Sequence, residues 1–144
     1  MKAFRKSWIC TVRPPYVDYM REGKKTIEVR TRLPKDFWVG DGLYVMEKGT
    51  NTFALVGEVK SVAIRYADDL GYILLEKRKG LLRQTCMSIE EIKEYVKDRP
   101  NFYLIEITNR WICPEEQRKY LTPEHYGYRC MPRGILPIPG KWKP

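Results

Sequence analysis

Gly23-Lys24-Lys25-Thr26-Ile27-Glu28-Val29-Arg30 is the stretch that decides how this chain is read. A glycine, two lysines and then strict alternation of polar and β-branched residues mark a turn that runs into a strand. Successive side chains of a strand point to opposite faces, so Thr26, Glu28 and Arg30 share one face and Ile27 and Val29 the other. Ile27 and Val29 suit a core-facing row. A carboxylate and a guanidinium then lie side by side on the polar face, next to the ammonium groups of Lys24 and Lys25. That cluster is either a solvated ladder of ion pairs or the floor of a site for an anionic, planar ligand.

The residues before the turn strengthen the pattern. Arg13 to Gly23 reads as a short helix. Pro15 fits its first turn, Asp18 lies near its N-terminus, and Gly23 fits the left-handed position past its end. Ser7 to Val12 reads as a strand ahead of it. The order is strand, helix, glycine turn, polar-faced strand.

In that order, Gly23, Lys25, Glu28 and Arg30 resemble the G-x-K-x-x-E-x-R signature of the ASCH domain family, whose fold is a PUA-like β-barrel. Val39-Gly40-Asp41-Gly42-Leu43 is similar to the family's second landmark, a Gly-Asp turn leading into a barrel strand. The resemblance covers roughly the first 110 residues. It implies an α+β fold, a small PUA-like β-barrel with two or three peripheral helices and a C-terminal extension. The expected division is 1–112 for the domain and 113–144 for a proline-rich, basic extension that packs on the barrel or trails from it.

Further along, Leu43–Glu47 reads as a strand. Phe53–Ile64 is a longer one, with Gly57 at a bulge or tight bend of a closed barrel. Residues 67–86 suggest broken helical turns. Ser88-Ile89-Glu90-Glu91 has the form of a capping box and opens a helix through Val96. Phe102–Thr108 reads as a closing strand. In the tail, Pro114 precedes a possible short helix over Glu115–Tyr120, and Ile135, Leu136 and Ile138 favour docking over a free tail.

Composition narrows the partners. The chain has 144 residues and a formal net charge of +9 from 27 basic and 18 acidic residues. An excess of that size in one small domain favours polyanions, because phosphate neutralisation supplies most nucleic-acid affinity. No apolar run is long enough to span a membrane and the basic N-terminus lacks a signal-peptide core, so a cytoplasmic protein without membrane contact is expected. Cys10, Cys86, Cys113 and Cys130 form no C-x-x-C pair and His125 is the single histidine, so neither metal nor cofactor is expected. Cys10, in a strand pattern, is expected to be buried.

The expected function is therefore RNA binding, to single-stranded or locally unpaired RNA, in a basic cleft between the first helix and the barrel. Lys24, Lys25, Arg30 and Arg32 would contact phosphate or base edges, and Glu28 would orient them or read a base. Trp38 and Tyr103 would offer stacking faces. The run Lys77-Arg78-Lys79 would extend the phosphate track if it folds near the cleft.

The resemblance also raises enzymatic alternatives. Some small family members are amidohydrolases of acylated pyrimidine nucleosides that use a lysine, a threonine and a glutamate. Their lysine matches Lys25, but Glu28 stands where their threonine is, with Thr26 nearby. Their glutamate falls near Gln84 or Thr85, neither of which is an acid. Ribonuclease activity, attributed to other members, would use Lys25, Glu28 and Arg30 as acid, base and phosphate clamp. Were the protein an enzyme, Lys25, Thr26 and Glu28 would be the catalytic candidates. A third alternative is a regulatory module for a small ligand or protein, with the C-terminal extension as a protein contact.

Overall fold

The computed structural model describes residues 4–50, 52–116 and 134–137. Its elements in chain order are β1 (Ser7–Val12), α1 (Tyr16–Glu22), β2 (Ile27–Arg30), β3 (Gly42–Glu47), β4 (Phe53–Tyr66), α2 (Asp69–Lys77), α3 (Lys79–Thr85), α4 (Ile89–Val96), β5 (Asn101–Ile112) and β6 (Ile135–Pro137). The six strands form one sheet in the order β2-β5-β4-β3-β1-β6. All pairings are antiparallel except β1 with β3. This is the expected α+β, PUA-like architecture, with four helices among the described residues. The segment 67–86, read from sequence as broken turns, forms both α2 and α3.

The parallel pair is covered on both faces, which is why Trp8-Ile9-Cys10 and Leu43-Tyr44-Val45-Met46 are near-continuous apolar runs without alternation. Trp8, Cys10, Leu43 and Val45 join Leu55, Val59, Ile105 and Ile107 in the interior of the curled sheet, where α1 adds Val17 and Met20. Ile9, Tyr44, Met46, Phe53 and Val56 pack on the other side. A third cluster lies between the far end of the sheet and the three later helices. It joins Ile27, Val29, Phe102 and Leu104 to Tyr72, Leu75, Ile89, Ile92 and Val96.

The sheet bends where the sequence placed its glycine. The β4–β5 register shifts between Val56 and Glu58 and again between Val59 and Ser61. A Cβ on Gly57 would come 2.0 Å from the Cγ2 of Ile107, so only glycine lets the two strands close up there. Ser88 and Glu91 form the expected capping box, each side chain bonded to the other's backbone N–H at 3.1 Å. Asp68 caps α2 by accepting from the Gly71 N–H at 2.7 Å.

The expected closed barrel is corrected in one respect: among the described residues, no hydrogen-bonded ladder joins β2 to the β1 side of the sheet. Among the described residues, β6 pairs with β1 over Trp8–Cys10. Beyond that point Arg30 crosses from β2 and donates from Nη2 to the Thr11 carbonyl at 2.7 Å. A side chain spans the seam that a ladder would otherwise close. β6 also shows that part of the tail returns to the sheet, with Ile135 buried. Ile138, His125, Cys130, most of the possible helix over Glu115–Tyr120 and most of the extension lie outside the described residues.

Candidate functional site

Gly23 adopts φ +85° and ends α1, as expected of a left-handed glycine. The backbone N–H groups of Lys24 and Lys25 both donate to the Tyr19 carbonyl, at 2.9 and 3.0 Å. This tight turn sends the two lysines in different directions. Lys24 stays exposed and pairs with Glu22 at 2.8 Å. Lys25 points inward and is 1% exposed.

The Lys25 ammonium donates to the carbonyls of Ile27 at 2.9 Å and Thr85 at 2.7 Å. It lies 3.5 Å from Glu28 Oε1 and 5.3 Å from the centre of the Tyr16 ring. A solvent-facing Lys25 that reaches out to phosphate is thus corrected: this ammonium is enclosed by two carbonyls, a carboxylate and an aromatic face.

Glu28 and Arg30 do share a strand face, but that face is not a solvated one. Residues directly opposite each other in an antiparallel pair share a face. Glu28 pairs with Ile105, and Ile105 with Val62, so Glu28 faces the sheet interior. Ile27 and Val29 face the helices. The short strand is therefore buried on both sides. Glu28 Oε2 accepts from Arg30 Nε at 3.2 Å and Nη2 at 2.9 Å, and Oε1 accepts from the Val29 N–H at 3.2 Å.

The electrostatics follow. Burial works against the Glu28 carboxylate, but Arg30 and Lys25 overcome it and hold its pKa below the ordinary value. Burial likewise opposes the Arg30 charge, which Glu28 then secures, so its pKa stands above the usual guanidinium value. The Cys10 thiol is buried as expected; loss of hydration pushes its pKa up to about 12, which leaves it an inert packing group. Two cations face one carboxylate, so the cluster carries one surplus positive charge.

Beyond Arg30 the same face leaves the interior and reaches the surface. Arg30 pairs with Tyr103, Tyr103 with Ile64, and Tyr66 with Asn101. Tyr103 is half-buried, whereas Ile64 is 52% and Tyr66 70% exposed. Tyr103 is thus beside the cluster, and Tyr66 extends the strip it starts. Arg32 is exposed just past β2. Trp38 is 58% exposed but lies at the other end of β1. Its backbone N–H bonds Asp41, and the neighbouring Gly42 pairs with Ser7, whereas Arg30 reaches Thr11.

Between α1 and α4 lies an open cleft of about 660 Å³, lined by Arg13, Tyr16, Met87, Glu90, Glu91, Glu94, Tyr95 and Lys97. It is not the expected basic cleft, since three glutamates face Arg13 and Lys97. Its rim is organised: Tyr16 donates its hydroxyl proton to Glu91 Oε2 at 2.7 Å. That bond, more than burial, lifts the Tyr16 pKa to about 12 and holds Glu91 below its usual value. Tyr95 lies in the field of Arg30 and Glu28; burial, more than any neighbour, raises its pKa.

Solvent-facing cations concentrate elsewhere. α3 packs against the signature turn, where the Thr26 N–H donates to the Gln84 carbonyl at 3.0 Å and Lys25 holds Thr85. Lys77, Arg78, Lys79 and Arg83 are exposed on α2 and α3, and none makes an ion pair with another described residue. The basic run singled out in the sequence thus folds within one short helix of Lys24. Sequence reasoning missed Tyr16, Tyr95 and the Thr11 and Thr85 carbonyls. Carbonyls carry no residue signal, and tyrosines are as common in cores as in sites.

A curled, PUA-like sheet with a lysine, a glutamate and an arginine buried at its seam defines a barrel-type domain built around one ionic cluster. The ASCH domain family model matches residues 11–113, and the chain belongs to that family. The fold agrees with the crystal structure of ASCH from Zymomonas mobilis at 14% identity and a TM-score of 0.70, over 93% of this chain and 88% of that one. A point mutant of that protein gives 14% identity and 0.71, over 95% and 91%. A solved hypothetical protein is 24% identical with a TM-score of 0.51, over 70% of this chain and 96% of its own. No match was found among curated proteins.

Proposed function

We propose that this ASCH domain is a cytoplasmic module that binds single-stranded or locally unpaired RNA without cleaving it. The observation that supports the reading is the docking of α3 on the signature turn, since this helix carries Lys79 and Arg83, both exposed and without an ion pair among the described residues, and the turn leads into a buried cluster with a surplus positive charge. Phosphates bind these outward cations and Arg32, while Tyr103 and Tyr66 offer stacking faces next to Arg30. Lys25 and Glu28 act from beneath, holding Arg30 in place.

Binding without turnover is favoured because both Glu28 oxygens are engaged by Arg30, Lys25 and the Val29 N–H. A general acid or base needs an oxygen or nitrogen within reach of the substrate proton. Lys25 and Glu28, two of the three residues a hydrolase would draw on, are held below the surface.

The test is fluorescence anisotropy with labelled single-stranded RNA, double-stranded RNA and DNA over a salt series, followed by gels of each RNA. Affinity should fall steeply with salt. The Lys24→Ala/Lys79→Ala/Arg83→Ala protein should lose about 2 from the slope of log K against log salt. Affinity flat in salt would sink the proposal. RNA cut by the wild type but left whole by Glu28→Gln would replace it with a ribonuclease. Deacylation of an acylated pyrimidine nucleoside would replace it with an amidohydrolase.

A further inference from the structure

The cleft between α1 and α4 holds charges of both signs and keeps them apart. Glu90, Glu94, Arg13 and Lys97 all line it and all are exposed. None of them makes an ion pair with another described residue. Glu90 lies in the first turn of α4, where the helix dipole favours a carboxylate. Glu94, one turn further on, lies beyond that benefit and meets the like charge of Glu90 at four residues' separation, which costs helix stability. Its place is better explained by what enters the cleft than by the helix that carries it.

The walls are aromatic. Tyr16 faces the cleft from α1 and Tyr95 from α4. Tyr16 is held in place, its hydroxyl on Glu91 at 2.7 Å and its ring 5.3 Å from the Lys25 ammonium. Glu91 also accepts from the Ser88 N–H at 3.1 Å, so Glu90 and Glu94 are the carboxylates left for a ligand. Three carboxylates and two cations line the cleft, and the cluster behind Tyr16 adds one positive charge. The sum is neutral. Its volume of about 660 Å³ falls within the roughly 300–1,000 Å³ of small-ligand pockets. Such a cleft suits a neutral, planar group with donors on one edge and acceptors on another.

Among the RNA bases, guanine has that form. Its N1–H and N2 amine donate side by side, matching the two oxygens of a carboxylate. Its O6 and N7 accept side by side, matching an arginine. Adenine and cytosine place an acceptor next to their amine, and uracil has no amine. We propose that the α1–α4 cleft is the base-reading pocket of this domain and takes one unpaired guanine, stacked on Tyr95, with the Glu90–Glu94 row accepting from N1 and N2 and Arg13 donating to O6 and N7. Lys97 at the rim meets a flanking phosphate. The inference rests on the RNA-binding reading and adds to it the base that is read.

The test is fluorescence anisotropy with a labelled oligouridine and the same strand carrying one central guanine, adenine or cytosine. The guanine strand should bind about tenfold tighter than the other three. Glu90→Ala/Glu94→Ala, with an unchanged circular dichroism spectrum, should abolish that difference, and Arg13→Ala should reduce it. The Lys24→Ala/Lys79→Ala/Arg83→Ala protein should weaken every strand alike and keep the preference for guanine. Strands that bind equally whatever the central base would overturn this inference and leave the RNA-binding reading standing. A preference for adenine or cytosine, or a guanine preference that survives loss of both glutamates, would also overturn it. Failure of every strand to bind would sink the RNA-binding reading and this inference with it.

Discussion

Two buried carboxylates sit at opposite ends of β1, and they are built differently. Asp41, fully enclosed, accepts from Arg5 Nε at 2.8 Å and Nη2 at 3.1 Å, from the Trp8 indole at 2.7 Å and from the Trp38 N–H at 2.8 Å. Its charge is balanced by one arginine that is itself 45% exposed, and its remaining donors are neutral. Glu28 has two enclosed cations and one backbone N–H. The first arrangement ties the N-terminal segment, β1 and the loop before β3 into one piece and leaves no charge over. The second leaves one positive charge over and three carbonyls, of Thr11, Ile27 and Thr85, turned toward the cations. A carboxylate that only builds architecture is satisfied by balanced donors. A surplus cation at a seam, next to half-buried Tyr103 and exposed Tyr66, is the feature on which the proposed binding of an anionic ligand rests.

Removing each carboxylate tests the contrast most directly. Glu28→Ala strands two buried cations and should cost about 3–5 kcal/mol, the usual penalty for breaking an enclosed ion pair from one side. Asp41→Ala leaves Arg5 able to turn to water and strands only the Trp8 indole and the Trp38 N–H. It should cost about 2–3 kcal/mol. Urea denaturation of both proteins measures the difference. A larger loss at Asp41 than at Glu28 would mean that hydrogen-bond saturation, not surplus charge, separates the two ends.

Much of this was legible in the sequence, and what was not has physical causes. The turn glycine, the capping box and the bend at Gly57 are local rules of backbone and side chain, so they read directly from Gly23, Ser88–Glu91 and Gly57. The alternation in β2 correctly separated Glu28 and Arg30 from Ile27 and Val29. It left open which environment lay on the polar side, because period two sorts residues into faces without saying what covers them. That is why Lys25 and Glu28, read as a surface cluster, turn out enclosed. Its neighbours β5 and the α3–α4 segment come from more than fifty residues downstream, and no local pattern announces them. Trp38 was misplaced for the same reason: nearness in sequence to Arg30 says nothing about the opposite ends of β1. The exposure of Tyr66 and of Leu70, Ile73 and Leu74 on α2 is not legible in the sequence, because exposed apolar residues look like core residues until the packing is known.

The finest test of the contrast is its pH dependence. Glu28 has a folded pKa held below the ordinary 4.5, with burial overcome by Arg30 and Lys25. A depressed folded pKa contributes stability that is present in full above the unfolded value. It is lost as pH falls through the folded one, because the unfolded chain then binds the proton more readily. Glu28→Gln keeps the shape, cannot titrate, and should begin less stable than wild type at neutral pH. Urea midpoints of the two proteins should therefore differ by a constant amount down to about pH 5 and converge below it. The other carboxylates, Glu91 included, are common to both proteins and cancel in the difference. A gap that stays constant down to about pH 3 would show that proton uptake at Glu28 is not linked to unfolding in that range. A gap that closes would place the linkage at Glu28, since Asp41 is common to both proteins and cancels.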